Sequence, residues 1–296
     1  MRVEFRGLTQ RFGVLVSGPT GWGEFSPFPD YDEFLAARWA AAASEAASGS
    51  WPPARRDRVP VNSMVPAVTP GEAHHLAALS ACGTVKVKVG DDMDDARVDA
   101  VRAAVGPSGR IRIDVNGAWD VGTAVHKIRS LNRYDLEYVE QPVATIEEMR
   151  ALRRRIDVPL AADEILRRAL DPRRVDLSGA ADVAVLKVHP LGGVRAALEV
   201  AEAVGLPCVV SSALETSIGL AGGVALAAAL PEVPFACGLG TGLLLAGDVV
   251  DDPLLPRDGW LDVRRPAVSD DALAPFEAHD AEVLALAARL RAGTRV

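Results

Sequence analysis

Apolar and polar residues alternate along the chain in a pattern that changes from one region to the next. Residues 1–30 alternate over short pieces separated by Gly and Pro, which predicts an antiparallel meander. Residues 31–48 are rich in Ala at helical spacing and predict a helix. Further along, short apolar runs alternate with Ala-rich helical stretches. These runs predict strands over residues 59–65, 85–89, 111–116, 136–141, 160–163, 183–188, 208–212 and 235–239.

The regular alternation of strand and helix predicts the fold class. Eight strands separated by helical stretches are typical of an α/β protein in which a closed parallel barrel carries a jacket of helices. An open, doubly wound sheet is the alternative. Such a sheet would bring the functional residues to a single point where the strand order reverses.

Breaks in the pattern predict how the chain is divided. A Trp-Pro-Pro break precedes the first barrel strand, so we expect residues 1–57 to form an N-terminal part and residues 58–249 to form the barrel. After that point the alternation stops. Residues 260–263 predict one more strand, and a helix is expected over roughly residues 270–291. We expect residues 250–296 to return to the N-terminal part, so that both ends of the chain build one α+β capping domain.

Five charged residues recur at the ends of successive predicted strands. Lys88, Asp114, Glu140, Asp163 and Lys187 stand 26, 26, 23 and 24 residues apart, each at the downstream end of an apolar run. This interval is the length of one strand, one helix and two loops. The C-terminal ends of barrel strands meet at one rim, where barrel enzymes carry their active sites. The spacing therefore predicts that these five side chains share one site.

The alternation within each strand indicates which way the charged side chains point. In residues 84–89, Lys86 and Lys88 share one face and three valines share the other. Helices cover the outer face of a barrel strand, so that face must be apolar and the charged face must point inward. If Lys88 and Lys187 belong to the second and sixth of eight strands, they face each other across the barrel mouth.

The carboxylates between the two lysines predict a metal site. Asp114, Glu140 and Asp163 would repel one another strongly unless a cation lay between them. Because these ligands are all oxygen and no His lies near them on those strands, Mg²⁺, or Mn²⁺ in its place, is favoured over zinc. The alternative is that each charge belongs to an ordinary ion pair in the barrel core.

The composition narrows the class of protein. A net charge of −8 argues against a nucleic-acid-binding protein, and 49% hydrophobic residues allow an extensive core. The longest apolar stretch, residues 218–230, is too short to cross a membrane, and the N-terminus lacks the apolar stretch of a signal peptide. Cys82, Cys208 and Cys237 have no metal-ligand spacing, so we expect buried, reduced thiols.

Together these features predict a cytoplasmic enzyme. Its partner is expected to be a small-molecule substrate. Nothing in the sequence indicates that it binds nucleic acid, a membrane or an obligate protein partner.

The motifs around the five charged residues resemble a known family. VKVKVG, RIDVNGAW, YVEQP, AADE and VLKVHPLGG are similar to the KxK, DxN, ExP, DE and K motifs of the enolase superfamily, in its muconate-lactonizing-enzyme-like subgroup. Within that subgroup, GWGEFSPFPDY, VNSMVPAV and SSALETSIGLAGG resemble the o-succinylbenzoate synthases, and the composition is closest to the actinobacterial type. The resemblance covers about residues 3–265.

The resemblance implies both a fold and an activity. The fold would be a (β/α)₇β modified TIM barrel with a capping domain built from both chain termini. Asp114, Glu140 and Asp163 would ligate Mg²⁺, and Lys88 and Lys187 would flank the substrate. The reaction would be that of a hydro-lyase of menaquinone biosynthesis, which dehydrates 2-succinyl-6-hydroxy-2,4-cyclohexadiene-1-carboxylate to 2-succinylbenzoate.

The expected mechanism starts with a proton next to a carboxylate, which is very weakly acidic. Lys88 would remove this α-proton and return a proton to the leaving hydroxyl, while Lys187 and the metal ion would stabilise the enediolate that forms. Lys86 shares the face of Lys88, so its positive charge would lower the pKa of Lys88. The alternative is that Lys86 is only a salt-bridge partner.

Further residues are expected to contact or support the substrate together with Lys86. Arg112 and Asn116 share the inward face with the first carboxylate, although Arg112 could equally form a structural ion pair. Ser211 and Ser212 could hydrogen-bond the succinyl tail, and helix N-capping is their alternative role. Residues 21–31 would close the mouth as a lid, unless they only pack on the barrel rim.

Other activities fit the same residues. An N-acylamino acid racemase or dipeptide epimerase would use the two opposed lysines to exchange a proton, one for each enantiomer. A third hypothesis is a non-catalytic metal-binding barrel that serves as a scaffold for a partner. His189 and Ile165 depart from the residues common at these positions in the family and could alter the pocket.

Overall fold

The computed structural model describes residues 1–278 and 281–293, and it has the α/β architecture that the sequence predicts. The strands are β1 (Val14–Gly18), β2 (Gly21–Phe25), β3 (Arg58–Pro60), β4 (Ser63–Val65), β5 (Thr84–Lys88), β6 (Arg110–Asp114), β7 (Leu136–Glu140), β8 (Leu160–Ala162), β9 (Val183–Leu186), β10 (Cys208–Val210) and β11 (Trp260–Asp262). The α-helices are α1 (Glu33–Ser48), α2 (Pro70–Leu79), α3 (Asp94–Val105), α4 (Val121–Leu131), α5 (Ile146–Arg153), α6 (Glu164–Arg167), α7 (Val188–Leu191), α8 (Val194–Val204), α9 (Ser217–Ala229), α10 (Asp270–Leu273) and α11 (Ala281–Gly293).

The centre of the fold is a curled parallel sheet. Over the described residues it has seven strands in the order β10-β9-β8-β7-β6-β5-β4. Both of its edges meet the same short segment, because Val61 bridges to Cys237 and Ser211 bridges to Gly238, each in parallel orientation. The N–H groups of Cys237 and Gly238 donate 2.7 Å hydrogen bonds to carbonyl groups on the two sides. The arrangement is TIM-like, whereas an open doubly wound sheet would leave its two edges apart.

Two predicted strands differ from the structure. The predicted strand over residues 59–65 is divided into β3 and β4, because β3 pairs antiparallel with β11 while β4 pairs with β5. The predicted strand over residues 235–239 is not a regular strand and makes the two isolated bridges instead. At Gly238 an added Cβ would lie 2.5 Å from Ser211 Oγ, so this segment packs closely against the residue that follows β10. Glycine also weakens a strand that contains it.

The two faces of the parallel sheet carry different side chains, as the alternation predicts. Val85 and Val87 point outward and belong to the main core beneath the helices. A separate buried cluster fills the interior of the sheet, with Phe235 packed against it, and consists of Tyr138, Ala161, Val183, Val185 and Val209. Since Val185 and Lys187 stand two residues apart and share a face, this packing supports the inward direction of the charged side chains.

The N-terminal segment packs beside the loops that follow the strands. β1 and β2 form an antiparallel hairpin, and α1 begins after Asp32, whose side chain accepts a hydrogen bond from the N–H of Leu35. A second buried cluster joins this segment to β4 and to the loops after β10, and it includes Phe25, Phe28, Tyr31, Trp39, Met64, Leu214 and Leu244. The division into residues 1–57, 58–249 and 250–296 stays a prediction.

The C-terminal segment is more broken than the sequence predicts. Strand β11 agrees with the strand expected over residues 260–263. The single helix expected over roughly residues 270–291 is instead divided into α10 and α11, with a 3₁₀ turn at Ala274–Phe276 after α10. Proline lies inside this turn and cannot continue an α-helix. Residues 279–280 lie outside the described part of the chain.

The thiols and the long apolar stretch behave as expected. Cys82, Cys208 and Cys237 are buried and unpaired, and burial raises the pKa of Cys208 and Cys237 to about 11. The apolar stretch of residues 218–230 lies almost entirely in α9, a helix of the protein core in which every residue is buried. Among the described helices, none combines the length and the apolar character needed to cross a membrane.

Close packing of the hairpin on α1 generates a stability prediction. An added Cβ at Gly23 would lie 2.0 Å from the carbonyl oxygen of Ala43, on the Ala-rich face of α1. We expect Gly23→Ala to lower the free energy of unfolding by about 1–3 kcal/mol, measured by urea denaturation, because the hairpin must move off the helix. The control is Gly71→Ala in α2, where nothing lies within 4 Å of the added Cβ. If Gly23→Ala were as stable as this control, the described contact would be wrong.

Candidate active site

The five charged residues occupy the ends of five consecutive strands. Lys88, Asp114 and Glu140 are the last residues of β5, β6 and β7, and Asp163 and Lys187 directly follow β8 and β9. In the register of the sheet, Lys88 stands opposite Asp114 and Asp114 stands opposite Glu140. The fold therefore brings these residues to one edge of the sheet, although they are distributed over a hundred positions of sequence.

Lys88 and Lys187 stand on opposite walls of the curled sheet. Between β5 and β9 lie β6, β7 and β8 on one side. On the other side lie β10, the bridging segment 237–238 and β4. With an equal number of chain segments on each side, a small molecule in the mouth would lie between the two lysines.

Lys86 binds two of the carboxylates. Its Nζ lies 2.7 Å from Glu140 Oε1 and 3.3 Å from Asp114 Oδ2, and all three side chains are buried. Burial by itself would lower the pKa of Lys86, but the two carboxylates outweigh it and raise the pKa. Lys86 is therefore a charged partner inside the sheet, which is the alternative role that the sequence left open.

Asp163 is held from two sides. Lys187 Nζ donates to its Oδ2 over 2.7 Å, and Arg167 Nε donates to its Oδ1 over 2.9 Å. Asp163 is fully buried, and Arg167 is almost fully buried. Burial opposes ionisation of this carboxyl, but the two cationic partners hold the pKa of Asp163 well below its usual range.

Lys88 is oriented by an amide. Its Nζ donates to Asn116 Oδ1, and Asn116 Nδ2 donates to Glu164 Oε1 over 3.0 Å. Asn116 has a φ of +50°, in the left-handed region, so the chain turns sharply just after the strand. The result is a short chain of polar contacts that runs from Lys88 to α6.

The environment shifts the proton affinities of the lysine and of the carboxyls in different directions. Burial lowers the pKa of Lys88, and the neighbouring ammonium of Lys86 adds a smaller effect in the same direction. The carboxylates of Asp114 and Glu164 oppose this shift, so burial is its main cause and the KxK spacing contributes only a minor part. Burial raises the pKa of Glu140 to about 7. Asp114 is also buried, but the positive charges of Lys86 and Lys88 lower its pKa.

The donor set suits a hard cation, although the side chains do not converge on one point. Over the described residues, no group of three His, Cys, Asp or Glu side chains is arranged to hold a metal ion. The three expected ligands turn instead toward Lys86, Lys187 and Arg167. They nevertheless lie on three adjacent strand ends and are all buried carboxylates. Glu164 Oε2 is a further buried oxygen beside them, without a hydrogen-bond partner.

Arg112 lies among structural partners. Its Nε donates to Glu137 Oε2 over 2.5 Å, and its Nη1 donates to Asn62 Oδ1 over 3.0 Å and to the carbonyl of Ala236 over 2.6 Å. Its guanidinium also lies over the ring of Tyr138, at 4.6 Å from the centroid. These contacts favour the structural ion pair over a substrate contact.

The two serines after β10 do not cap a helix. The N-cap of α9 is Thr216, so the alternative role considered for Ser211 and Ser212 is wrong. Ser211 Oγ lies 3.4 Å from the carbonyl oxygen of Gly238, and Ser212 Oγ lies 2.6 Å from Thr241 Oγ1. The hydroxyls therefore link the loop after β10 to the bridging segment and the turn that follows it.

Gln141 and Arg167, which the sequence did not assign to the site, are buried and support Asp163. Gln141 has a φ of +38°, and its Oε1 accepts hydrogen bonds from the N–H groups of Asp163 and Ile165, at 3.0 and 3.3 Å. Arg167 binds the carboxylate itself. The spacing of four residues between Asp163 and Arg167 on one helical turn was a usable signal, whereas nothing in the sequence indicated the backbone of Gln141.

His189 and Ile165, which depart from the family pattern, and the segment 21–31 have packing contacts of their own. His189 Nδ1 is 3.0 Å from Glu215 Oε1, and its ring stacks on Trp39 at 4.9 Å, beneath α1. Ile165 is half-buried on α6. Residues 21–25 form β2 rather than a loop, and Tyr31 is buried with its hydroxyl against Arg167. These contacts agree with packing on the rim.

Comparisons with known proteins identify relatives along almost the whole chain. Residues 71–267 match the family described as Enolase C-terminal domain-like, and residues 1–47 match Enolase N-terminal domain-like. An o-succinylbenzoate synthase from Thermobifida fusca is 60% identical over 99% of this chain and 94% of its own length. Another from Mycobacterium ulcerans is 50% identical over 90% of this chain and 83% of its own length.

A solved structure shares the fold at lower sequence identity. The muconate cycloisomerase from Pseudomonas fluorescens superimposes with a TM-score of 0.75 at 23% identity, and the match covers 91% of this chain and 98% of that one. This likeness supports the TIM-like α/β fold and says nothing more specific.

Removal of the buried ammonium of Lys86 should be costly. We expect Lys86→Met to lower the free energy of unfolding by about 3–5 kcal/mol in a chelating buffer, because it leaves buried carboxylates without their cation. Lys127→Met is the matched control, since Lys127 is 35% exposed and pairs with Asp94 over 3.2 Å. Its loss should stay below about 1 kcal/mol. Equal losses for the two variants in urea denaturation would contradict the role of Lys86.

The raised pKa of Glu140 predicts a pH dependence in the same buffer. A carboxyl whose pKa rises from 4.5 to about 7 on folding binds its proton more tightly in the folded protein. Its contribution to stability is therefore complete below about pH 4.5 and is lost as the pH rises through about 7. We expect Glu140→Gln to remove this loss of stability. The measurement is the free energy of unfolding of the unaltered protein minus that of Glu140→Gln, followed across this pH range. If this difference did not change with pH, the raised pKa of Glu140 would be ruled out.

Proposed function

Since this chain belongs to the o-succinylbenzoate synthases of the enolase superfamily, we propose that its five charged rim residues are the machinery of that reaction. The enzyme is a lyase. It dehydrates 2-succinyl-6-hydroxy-2,4-cyclohexadiene-1-carboxylate to 2-succinylbenzoate. We place this reaction in menaquinone biosynthesis and in the cytoplasm, with a small-molecule substrate and no obligate protein partner.

We propose that the fold is a (β/α)₇β barrel with a capping domain. Support comes from the two bridges that join the edges of the parallel sheet to residues 237–238. The cap would combine residues 1–57 with residues 250–296. The packing of Leu286 and Leu290, from α11, against the N-terminal cluster supports this combination.

A divalent cation, Mg²⁺ with Mn²⁺ as a substitute, would be held by Asp114, Glu140 and Asp163. Their burial, their all-oxygen chemistry and their succession along adjacent strand ends support this assignment. When bound, the cation would supply positive charge beside the substrate carboxylate, where negative charge develops as the α-proton leaves.

Lys88 is the base in this proposal. Burial lowers the pKa of Lys88, which increases the fraction of neutral amine that can accept a proton. Lys88 takes the α-proton, and the electrons of the broken C–H bond enter the ring and carboxylate. The resulting ammonium then donates a proton to the leaving hydroxyl. The C–O bond breaks, water departs and the ring becomes aromatic.

The remaining residues hold the reacting groups in position. Asn116 accepts the hydrogen bond of Lys88 and so directs its amine. Lys187 lies on the opposite wall, where its positive charge would stabilise the anion formed by proton removal. Ser211 and Ser212 directly follow β10 and would hydrogen-bond the succinyl tail. Lys86, deeper inside the sheet than Lys88, holds the carboxylates of Asp114 and Glu140 in place.

The observation that most strongly supports this function is the opposition of the two lysines, with the three carboxylates on the strands between them. The same opposition also suits a second activity. A racemase of N-acylamino acids, or a dipeptide epimerase, would need one base on each face of its substrate. The family membership favours dehydration over this alternative.

Lysine variants test the proposed reaction. We expect Lys88→Ala to lower kcat for 2-succinylbenzoate formation by about 10²–10⁴, because it removes the general base. Lys187→Ala should also lower kcat strongly, while Lys127→Ala should retain the activity of the unaltered enzyme. The measurement is the absorbance of the aromatic product in the presence of Mg²⁺.

Substrate discrimination is tested with the same proteins. No turnover of the cyclohexadiene, together with racemisation of N-succinylamino acids in deuterated water, would overturn the proposal and favour the racemase. In that case Lys88→Ala and Lys187→Ala should each abolish exchange from one enantiomer only.

A further inference from the structure

One buried arginine connects the rim to the N-terminal segment. Arg167 lies on α6 and uses all three nitrogens of its guanidinium. Nε donates to Asp163 Oδ1 over 2.9 Å, Nη2 donates to Glu164 Oε1 over 2.5 Å, and Nη1 donates to the hydroxyl of Tyr31. Its side chain is 2% exposed, so these three contacts take place without competition from bulk water.

Tyr31 is itself held firmly. Its ring is 4% exposed and makes edge contacts with Phe28 at 5.7 Å and Trp39 at 6.3 Å between centroids. The guanidinium is planar and rigid, so a displacement of the arm bound to Tyr31 must also displace the two arms bound to the carboxylates. A movement of Tyr31 would therefore reach Asp163 directly.

Other contacts join the N-terminal segment to the residues that follow α6 and do not reach the carboxylates at the rim. Arg38 of α1 donates to the carbonyl oxygens of Ala169 and Leu170, at 2.9 and 2.8 Å. Arg168 binds Asp30 Oδ2 over 2.8 Å, with its side chain 44% exposed. These contacts hold the residues after α6, whereas the contact through Arg167 also continues to Asp163.

We propose that Arg167 is a positioning residue, which fixes the carboxylate of Asp163 for cation binding and is itself fixed by Tyr31. This inference rests on the proposed function, in which Asp163 is a cation ligand. The N-terminal segment thereby sets the affinity of the rim for its cation, although it supplies no ligand. Arg167 touches no substrate in this scheme and acts through Asp163.

Charge-conserving variants test the proposal. Arg167→Lys keeps the positive charge but loses the planar fork, and Tyr31→Phe removes a single oxygen. Mn²⁺ binding to the substrate-free enzyme is measured by isothermal titration calorimetry. We expect Arg167→Lys to weaken Mn²⁺ binding by about tenfold or more, and Tyr31→Phe by about threefold, as is typical when a residue that supports a metal ligand is altered. The double variant should bind Mn²⁺ no more weakly than Arg167→Lys alone, because the tyrosine acts through the arginine.

Matched controls lie away from the rim. Arg153→Lys changes an arginine at the end of α5, which binds Asp182 over 2.9 Å instead of a rim carboxylate. Tyr134→Phe removes a tyrosine hydroxyl whose partners are Arg133 and Asp95. Both controls should bind Mn²⁺ within about twofold of the unaltered enzyme. The kcat lost in Arg167→Lys should return at saturating Mg²⁺, which a general loss of structure would not allow.

The outcomes separate this inference from the proposed function. If Asp163→Asn abolishes Mn²⁺ binding while Arg167→Lys and Tyr31→Phe leave it unchanged, the positioning role is overturned and the metal site stands. Additive effects in the double variant would also overturn it. If Asp163→Asn leaves Mn²⁺ binding unchanged, the proposed metal site fails and the inference fails with it. Should Arg167→Lys not fold, Tyr31→Phe alone decides the question, because it changes neither charge nor packing volume appreciably.

Discussion

Neutralisation of buried charge is the constraint on which the rest of this structure depends. The helices seal the outer face of the parallel sheet, so the charged residues of its strands must stand inside, where an isolated ion is very costly. Lys86 balances Glu140 and Asp114, and Lys187 shares Asp163 with Arg167. Removal of one member leaves an uncompensated charge behind, which costs far more than the loss of a surface pair. The rim is therefore one network and not a set of independent ligands.

The backbone at the strand ends serves the same network. Asn116 and Gln141 adopt φ values of +50° and +38°, a left-handed conformation that costs on the order of 1–3 kcal/mol for residues of this type. The turns direct their amides to polar neighbours, since Asn116 lies between Lys88 and Glu164 while Gln141 accepts the N–H of Asp163. Local strain is thus offset by contacts that order the charged side chains.

The N-terminal segment contacts the loops that surround this charged network. Its Tyr31 meets the loop after β8 through Arg167, and its Trp39 stacks on His189 in the loop after β9. Glu24 accepts hydrogen bonds from the N–H groups of Thr216 and Gly219 at the start of α9, after β10. Three successive loops of the rim are therefore tied to one segment. Exclusion of water from such a mouth strengthens every charge interaction inside it.

The sequence alone determined the alternation of strands and helices from β5 to β10, the inward face of the charged residues and the position of all five at strand ends. Those features depend on periodicity, which is local and can be read from one chain. The tertiary structure decided the rest. The partners of Lys86 and the role of Gln141 arise from strands that lie far apart in sequence, and residues 235–239 form only isolated bridges to Val61 and Ser211 instead of a regular strand. Contacts between distant segments depend on how the sheet curls, and no local pattern encodes that geometry.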